Sequence, residues 1–359
     1  MHPQSGSGKT RSSYRSHKVI RICPAAACSR ARLGKTTKLT NRAREQVVYT
    51  EGEYIQVNGI RFTLEFMDGV IVVDKPSGWT SHDVVAKMRR FANTKRIGHL
   101  GTLDPMATGV LPLVINRATR LAQFFRLSEK SYEGVIRFGY STDSYDATGD
   151  PASPVQEVSP DPAALSAAME RFRGTIQQTP PDVSAKKIGG VPAYKLARRN
   201  KPVNLAAVEI TIHSFELLAL DGCEARVTVR CSSGSYLRSI AHDLGQVLGC
   251  GAHLSELRRT SSGPFVLQQA RTLEELAVLA SEGRITEALI PAAELLPEFP
   301  AQQVDAITEA QIRQGRDFRI NPFRSLQASR FVRAISAGGT LVAIGEATLP
   351  NVYHPVLVL

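Results

Sequence analysis

The stretch whose residue types point most directly to chemistry is Gly98-His99-Leu100-Gly101-Thr102-Leu103-Asp104-Pro105-Met106-Ala107-Thr108-Gly109. Three glycines with a histidine and an aspartate between them suit a loop, not a helix or a strand. Glycine lets backbone approach a ligand closely and enter positive φ. Proline after Asp104 pushes that residue toward extended backbone and exposes its carboxylate. An isolated Asp-Pro is usually an ordinary turn or a helix cap. Here it has company, with His99 five residues earlier and a flank that is basic and free of acids. A second unusual stretch is Cys231-Ser232-Ser233-Gly234-Ser235-Tyr236-Leu237-Arg238-Ser239-Ile240. It reads as a strand end, a Ser/Gly turn and a helix start, with Tyr236 and Arg238 in the first turn. Arginine at a helix N-terminus runs against the dipole preference. It is either a plain surface residue or the partner of a carboxylate.

Charge is the next signal. Residues 1–44 hold 11 Lys and Arg and no acid, so the net +11 belongs to this tail, and the remainder is balanced at 33 basic and 33 acidic residues. Binding of a polyanion by the folded part must therefore rest on local clusters. Two exist. Lys87, Arg89, Arg90, Lys95 and Arg96 lie between Asp83 and Asp104 with no acid among them. Lys186, Lys187, Lys195, Arg198, Arg199 and Lys201 lie between Asp182 and Glu209, together with Gly189-Gly190 and Tyr194. Basic, glycine-containing loops with an aromatic suit contact with a phosphate backbone. One such run reads as a solvated loop; two favour a nucleic acid.

Several classes are excluded. No run of about 18 apolar residues exists to span a membrane. The SGSGKT of Ser5–Thr10 has Pro3 where a phosphate loop needs its first glycine. Cys23 and Cys28 are badly spaced for zinc, and His242 and His253 have no second ligand pair, so no metal is expected. Five irregularly spaced cysteines read as reduced thiols in a cytosolic protein.

These residues must be held by regular elements. With 43% hydrophobic residues, the chain can bury a substantial core. Residues 1–66 read as a basic, disordered extension, with Met67 a credible start, though an organelle transit peptide shares that composition. Val47, Tyr49, Tyr54 and Gln56 show some alternation without a clear placement. Then Val70–Val73 predicts a strand, Thr80 or Ser81 a helix cap leading to Phe91, and 110–115 an apolar run with a helix through Phe125. Residues 132–139 predict a strand, and Asp161-Pro162 opens a helix burying Leu165, Met169 and Phe172. Strands follow at Val208–Leu218 and Glu224–Cys231, then a helix over Leu237–Leu248. After the prolines at 291, 297 and 300 come a helix over Asp305–Arg313, with Ile307 and Ile312 inward, and strands near 329–336 and 340–348. Strands and helices intermix without βαβ alternation. That predicts an α+β fold, a mixed, largely antiparallel sheet flanked by helices, with a small β-rich C-terminal module. The domain limits expected are 1–66, 67–295 and 296–359.

Six stretches together resemble the TruB family of pseudouridine synthases: DKPSGWTSHD (Asp74–Asp83), GHLGTLDPMATGVLP (Gly98–Pro112), SYEGVIRFGYSTDSYDATGD (Ser131–Asp150), TPPDVSAKKIGGVPAYKLAR (Thr179–Arg198), CSSGSYLRSIAHDLG (Cys231–Gly245) and GAHLSELRRTSSGPF (Gly251–Phe265). The resemblance runs from about Met67 to Gly263 and more weakly to the C-terminus. Asp150, Leu100 and Thr102 are its visible departures. It implies a pseudouridine synthase catalytic fold with a PUA-like C-terminal domain. The implied activity is isomerisation of uridine 55 in the tRNA T-arm to pseudouridine, by base flipping and without a cofactor. By motif, Asp104 is the essential carboxylate, either adding to the sugar or assisting a glycal intermediate. Arg238 would keep it charged and aimed. Tyr132 would stack on the uracil and take the C5 proton; an ordinary phenol, with a pKa near 10, is a poor base and would need help. Tyr236 and Leu257 would line the uracil pocket, and Asp146 matches a carboxylate of the site. His99 would fill or brace the space left by flipped bases, and Lys75 would sit close to the site as a structural or electrostatic support. Lys186, Lys187 and Tyr194, in loop 183–201, would close over the T-arm, and the C-terminal module would touch the acceptor stem. The resemblance further implies a cytoplasmic monomer with tRNA as partner and no membrane. The alternatives are a guide-RNA-dependent relative acting on ribosomal RNA and a tRNA-folding chaperone.

Overall fold

The computed structural model describes residues 37–39, 47–49, 54–57, 60–63, 68–181, 186–188, 191–192, 205–320 and 329–359. The chain divides into two units, Met1–Phe66 and Met67–Leu359. In the first, the strands Thr37–Leu39, Val47–Tyr49, Tyr54–Val57 and Ile60–Thr63 form an antiparallel four-stranded sheet. The sequence reading expects a disordered extension before Met67 and leaves the alternation at Val47, Tyr49, Tyr54 and Gln56 unplaced; these four residues fall in the second and third of these strands.

The second unit is built on one mixed sheet. Its elements are β1 (Gly69–Lys75), α1 (Ser81–Phe91), β2 (Ile97–His99), β3 (Thr108–Ile115), β4 (Lys130–Phe138), α2 (Pro162–Glu170), β5 (Gly174–Gln178), β6 (Val208–Asp221), β7 (Glu224–Cys231), α3 (Leu237–Leu248), β8 (Ala252–Ser262), α4 (Leu273–Ser281) and β9 (Leu289–Pro291). The strand order is β9-β1-β3-β8-β4-β7-β6-β5, with β2 added beside β3. Every pairing in it is antiparallel except β3 with β8. The apolar run expected to continue as a helix instead leads into a 3-10 helical segment, Asn116–Phe125.

β1 and β3 are apolar at nearly every position because both their faces are covered. Ile71, Val73, Leu111, Leu113 and Ile115 pack into the core beneath α1 to α4. Val70, Val72, Val110 and Val114 pack into a second core on the other side, with Leu121 and Phe125. The C-terminal module completes that second core. It contains β10 (Ala301–Gln303), α5 (Ala306–Arg313), β11 (Phe318–Arg319), β12 (Phe331–Ile335), β13 (Leu341–Leu349) and β14 (Val352–Val358), in the sheet order β10-β12-β13-β14-β11. Ile335, Leu341, Ile344 and Leu357 pack with Val70 and Val110, and Phe124 meets Phe299 and Phe331 edge-on at 5.6 and 5.8 Å. Ile312 is buried as expected, but Ile307 is 72% exposed. The two are five residues apart, hence about 140° apart around a helix, and one apolar face cannot hold both.

α3 lies against β8 at Gly245, where a Cβ would collide with the backbone of Gly251 and Ala252. Alanine inside a helix ordinarily stabilises by about 0.5–1 kcal/mol over glycine. Gly245→Ala should instead destabilise by about 1–3 kcal/mol through overpacking, read as a lowered denaturation midpoint.

Candidate active site

The glycine-rich loop runs from the end of β2 to the start of β3, and three neighbours fasten it. Ser81, at the first turn of α1, exchanges hydrogen bonds with Leu103, accepting from its N–H at 2.9 Å and donating to its carbonyl at 3.2 Å. α1 is itself set by a capping box in which Thr80 and Asp83 satisfy each other's backbone N–H groups. The turn after β1 follows, with Gly78 N donating to Pro105 O at 2.8 Å and Ser77 Oγ to Met106 O at 3.2 Å. Beneath these lies Lys75, fully buried, whose Nζ donates to the carbonyls of Pro76 (2.9 Å), Trp79 (2.6 Å) and Pro105 (3.1 Å). Burial lowers the Lys75 ammonium to about 8, against the opposing pull of the Asp104 charge.

Asp104 stands at the crown of this loop with its side chain 33% exposed, facing an Arg238 side chain that is 4% exposed. The pair is a two-point fork, Nε to Oδ2 at 2.9 Å and Nη2 to Oδ1 at 3.2 Å. The remaining nitrogen, Nη1, donates to Ser144 O at 3.0 Å and lies 3.5 Å from Asp146 Oδ2. Asp146 is buried, and its Oδ1 accepts from Ser144 Oγ, Thr148 N and Thr148 Oγ1. One guanidinium is thus shared by two carboxylates from separate loops. Gln178 pins the entry to α3, accepting from Tyr236 N at 2.8 Å and donating to Tyr236 O at 2.9 Å.

Tyr132 on β4 and Leu257 on β8 are buried on the same side of adjacent strands, where Tyr132 pairs with Arg259 and Gly134 with Leu257. Burial pushes the Tyr132 phenol up, while a hydrogen bond and charge from Arg259 oppose that rise. His99 closes β2 half-buried, and its pKa is lowered by burial first and then by the charge of Arg259. Lys186 Nζ reaches Ala206 O at 3.5 Å, and Lys187 belongs to a two-stranded ribbon of Lys187–Ile188 with Val191–Pro192. Tyr194 lies outside the described residues.

Arg259 is the residue that the sequence reading misses. It is fully buried; its Nε donates to Val110 O at 2.7 Å, Nη1 to Thr102 O at 3.3 Å and Nη2 to Gly101 O at 3.1 Å. It therefore ties the glycine-rich loop to β3 and β8 and reaches Tyr132 as well. The signal was present, since Arg259 follows Leu257 by two residues and so shares its inward face. Arg258 points the other way, into a two-point pair with Asp74 at 2.7 and 3.1 Å. Among the described residues, no group of three or more His, Cys, Asp or Glu could hold a metal ion.

Residues 89–237 match the TruB family pseudouridylate synthase (N terminal domain), and residues 238–296 match the tRNA pseudouridylate synthase B C-terminal domain. A tRNA pseudouridine synthase B from Solibacter usitatus (strain Ellin6076) is 61% identical over 293 residues, covering 82% of this chain and all of that protein. A tRNA pseudouridine synthase B from Thermobifida fusca (strain YX) is 46% identical over 270 residues, covering 71% of this chain and 87% of that protein. Among solved structures, a chain of the archaeal box H/ACA sRNP Nop10-Cbf5 complex superposes with a TM-score of 0.58 at 26% identity, covering 82% of this chain and 87% of that one.

Two predictions follow from the clamps. Arg259→Lys supplies one nitrogen where three now donate, so at least one buried carbonyl loses its donor. Unfolding free energy should fall by about 1–3 kcal/mol in chemical denaturation. For Lys75, the folded pKa of about 8 lies below the ordinary lysine value of 10.5. The folded state therefore binds fewer protons than the unfolded one between those values, and this residue's contribution to stability rises with pH across that window. Wild type should gain roughly 2–3 kcal/mol over Lys75→Met between about pH 8 and pH 10.5, read from denaturation midpoints at each pH.

Proposed function

The chain belongs to the TruB family of pseudouridylate synthases, and from that premise we propose that it converts uridine 55 in the T-arm of tRNA to pseudouridine. The observation that carries this reading is the Asp104–Arg238 fork, a partly exposed carboxylate on a glycine-rich loop gripped by a buried guanidinium. Identity of 61% to a tRNA pseudouridine synthase B, against 26% to the archaeal complex chain, supports tRNA as the substrate over guide-directed RNA.

The reaction is an isomerisation. The bond from the sugar C1′ to N1 breaks, the uracil turns, and C1′ joins C5. The C5 proton is lost and N1 gains one, so no cofactor is consumed. Asp104 acts at the sugar, and Arg238 holds it in a fixed direction. The target base must leave its stack, which costs a few kcal/mol that stacking and backbone contacts offset. Tyr132 and Leu257 supply a flat and an aliphatic wall on one side of the sheet. Base-on-aromatic stacking contributes roughly 1–3 kcal/mol. Tyr132 is also the base for the C5 proton; burial holds its phenol above the ordinary range, and Arg259 opposes part of that rise. Tyr236, with its backbone fixed by Gln178, borders the pocket. His99 fills the gap left by extruded bases, while loop 183–201, with Lys186, Lys187 and Tyr194, grips the T-arm by shape and charge. The C-terminal module meets the acceptor stem, and the protein works as a monomer. Residues 1–66 lie outside this machinery; the alignment with the Solibacter protein spans 293 residues, as many as Met67–Leu359 contains.

Asp104→Asn keeps the shape of the side chain and removes its charge. On a tRNA transcript, pseudouridine at position 55, mapped by chemical tagging and primer extension, should fall by more than about a thousandfold. The Kd for tRNA should stay within about threefold, because phosphate contacts supply most of the affinity. Near-wild-type turnover in this variant would remove Asp104 from the chemistry. A chain starting at Met67 should turn over at the full-length rate, measured in the same assay.

A further inference from the structure

Arg238 reaches Asp104 from the first turn of α3, and its far side is held by the loop between β4 and α2. Two groups of that loop hold Nη1, the Ser144 carbonyl and the Asp146 carboxylate. Between them stands Tyr145, with φ +65°. This is the left-handed region, which a bulky side chain rarely enters and which gathers at functional sites when the surroundings enforce it. Part of the enforcement is backbone, since Tyr145 N donates to Thr142 O at 3.2 Å and Tyr145 O accepts from Leu254 N at 3.0 Å. The rest is an aromatic contact. The Tyr145 ring lies flat on the imidazole of His242, with centroids 3.8 Å apart and an interplanar angle of 20°.

His242 follows Arg238 by four residues, so the two share one face of α3, a turn apart. The His242 Nδ1 is buried and has no hydrogen-bond partner among the described residues. The ring is therefore held there by packing, and burial keeps it toward its neutral form. The loop residue that separates the two Arg238 ligands is thus clamped to the same helix that carries Arg238.

We propose that Tyr145 and His242 form a positioning pair, which fixes Ser144 and Asp146 against Arg238 and through Arg238 aims the Asp104 carboxylate. The proposal rests on the pseudouridine synthase reading above. The pair acts on Asp104 through Arg238, so its effect belongs in the rate of the bound complex and not in RNA affinity. Misplacing a catalytic group by about an ångström can cost up to about a hundredfold in rate.

The test uses the full-length protein, a tRNA transcript, steady-state kinetics of pseudouridine formation, and melting temperatures of every variant. His242→Ala should lower kcat by about tenfold with KM within about twofold of wild type. His242→Phe, which restores a flat ring without the nitrogens, should recover kcat to within about threefold. Tyr145→Gly accepts the positive φ and removes only the ring; it should match His242→Ala, and the double variant should be no slower than the slower single one. A wild-type kcat in His242→Ala, a loss confined to KM, or a His242→Phe chain as slow as His242→Ala would overturn the proposal. A wild-type chain that makes no pseudouridine in tRNA would overturn the synthase reading beneath it.

Discussion

A single buried guanidinium organises this molecule. Arg238 lies at the start of α3, where the helix dipole disfavours a cation, and it is almost wholly removed from water. An unpaired charge in that position would cost several kcal/mol. The structure offsets this with a two-point fork to Asp104, the Asp146 carboxylate and the Ser144 carbonyl. Asp104 comes from one loop and Ser144 and Asp146 from another, so satisfying one side chain ties two loops to α3. Asp104 keeps enough exposure to meet a substrate, whereas Asp146 is buried and serves the arginine.

The sheet brings these segments together. Asp104 and Arg238 are 134 residues apart in sequence. β3 leaves the glycine-rich loop and runs parallel to β8, so Arg258 and Arg259 stand beside Thr108 and Gly109. Alternation then divides the labour of two adjacent arginines. Arg259 turns inward to hold the loop carbonyls, while Arg258 turns outward to pair with Asp74. Lys75, next along from Asp74, likewise turns inward to the loop carbonyl of Pro105. The loop that looks pliant in sequence is anchored by three buried cations, Lys75, Arg238 and Arg259, and by two serines, Ser77 and Ser81. Its glycines permit close approach; Gly109, at φ +97°, has no room for a Cβ beside the Arg259 backbone.

Much of this was legible before any coordinates. Helix caps were readable because a side chain beside its own helix decides them, and Thr80 and Asp161 cap α1 and α2. The partner of Arg238 could be anticipated from a charge placed against the dipole. What sequence did not reveal was long-range burial. Arg259 reads as one of two adjacent charges, and it is the parallel neighbour β3 and the loop above it that give its guanidinium three acceptors. β8 itself, the strand that joins the halves of the sheet, is crowded with polar residues because one face carries Glu256 and Arg258 and the other carries site residues. Ile307 reads as a core residue by type, yet it stands 72% exposed on the far side of α5 from the buried Ile312. Lys187–Ile188 and Val191–Pro192 pair as a short ribbon that no periodicity announces, since two-residue strands are too brief to show one.

The account stands on Asp104 and Arg238 working as one unit, and a double-variant cycle of kcat on tRNA tests that most directly. With the guanidinium gone, the carboxylate loses its direction; with the carboxylate charge gone, the guanidinium has nothing to aim. Arg238→Met together with Asp104→Asn should therefore be no slower than the slower of the two single variants, the non-additivity expected of groups that act jointly. If the two losses multiply, or if Arg238→Met alone stays within about threefold of wild type, the residues act independently and the account is wrong.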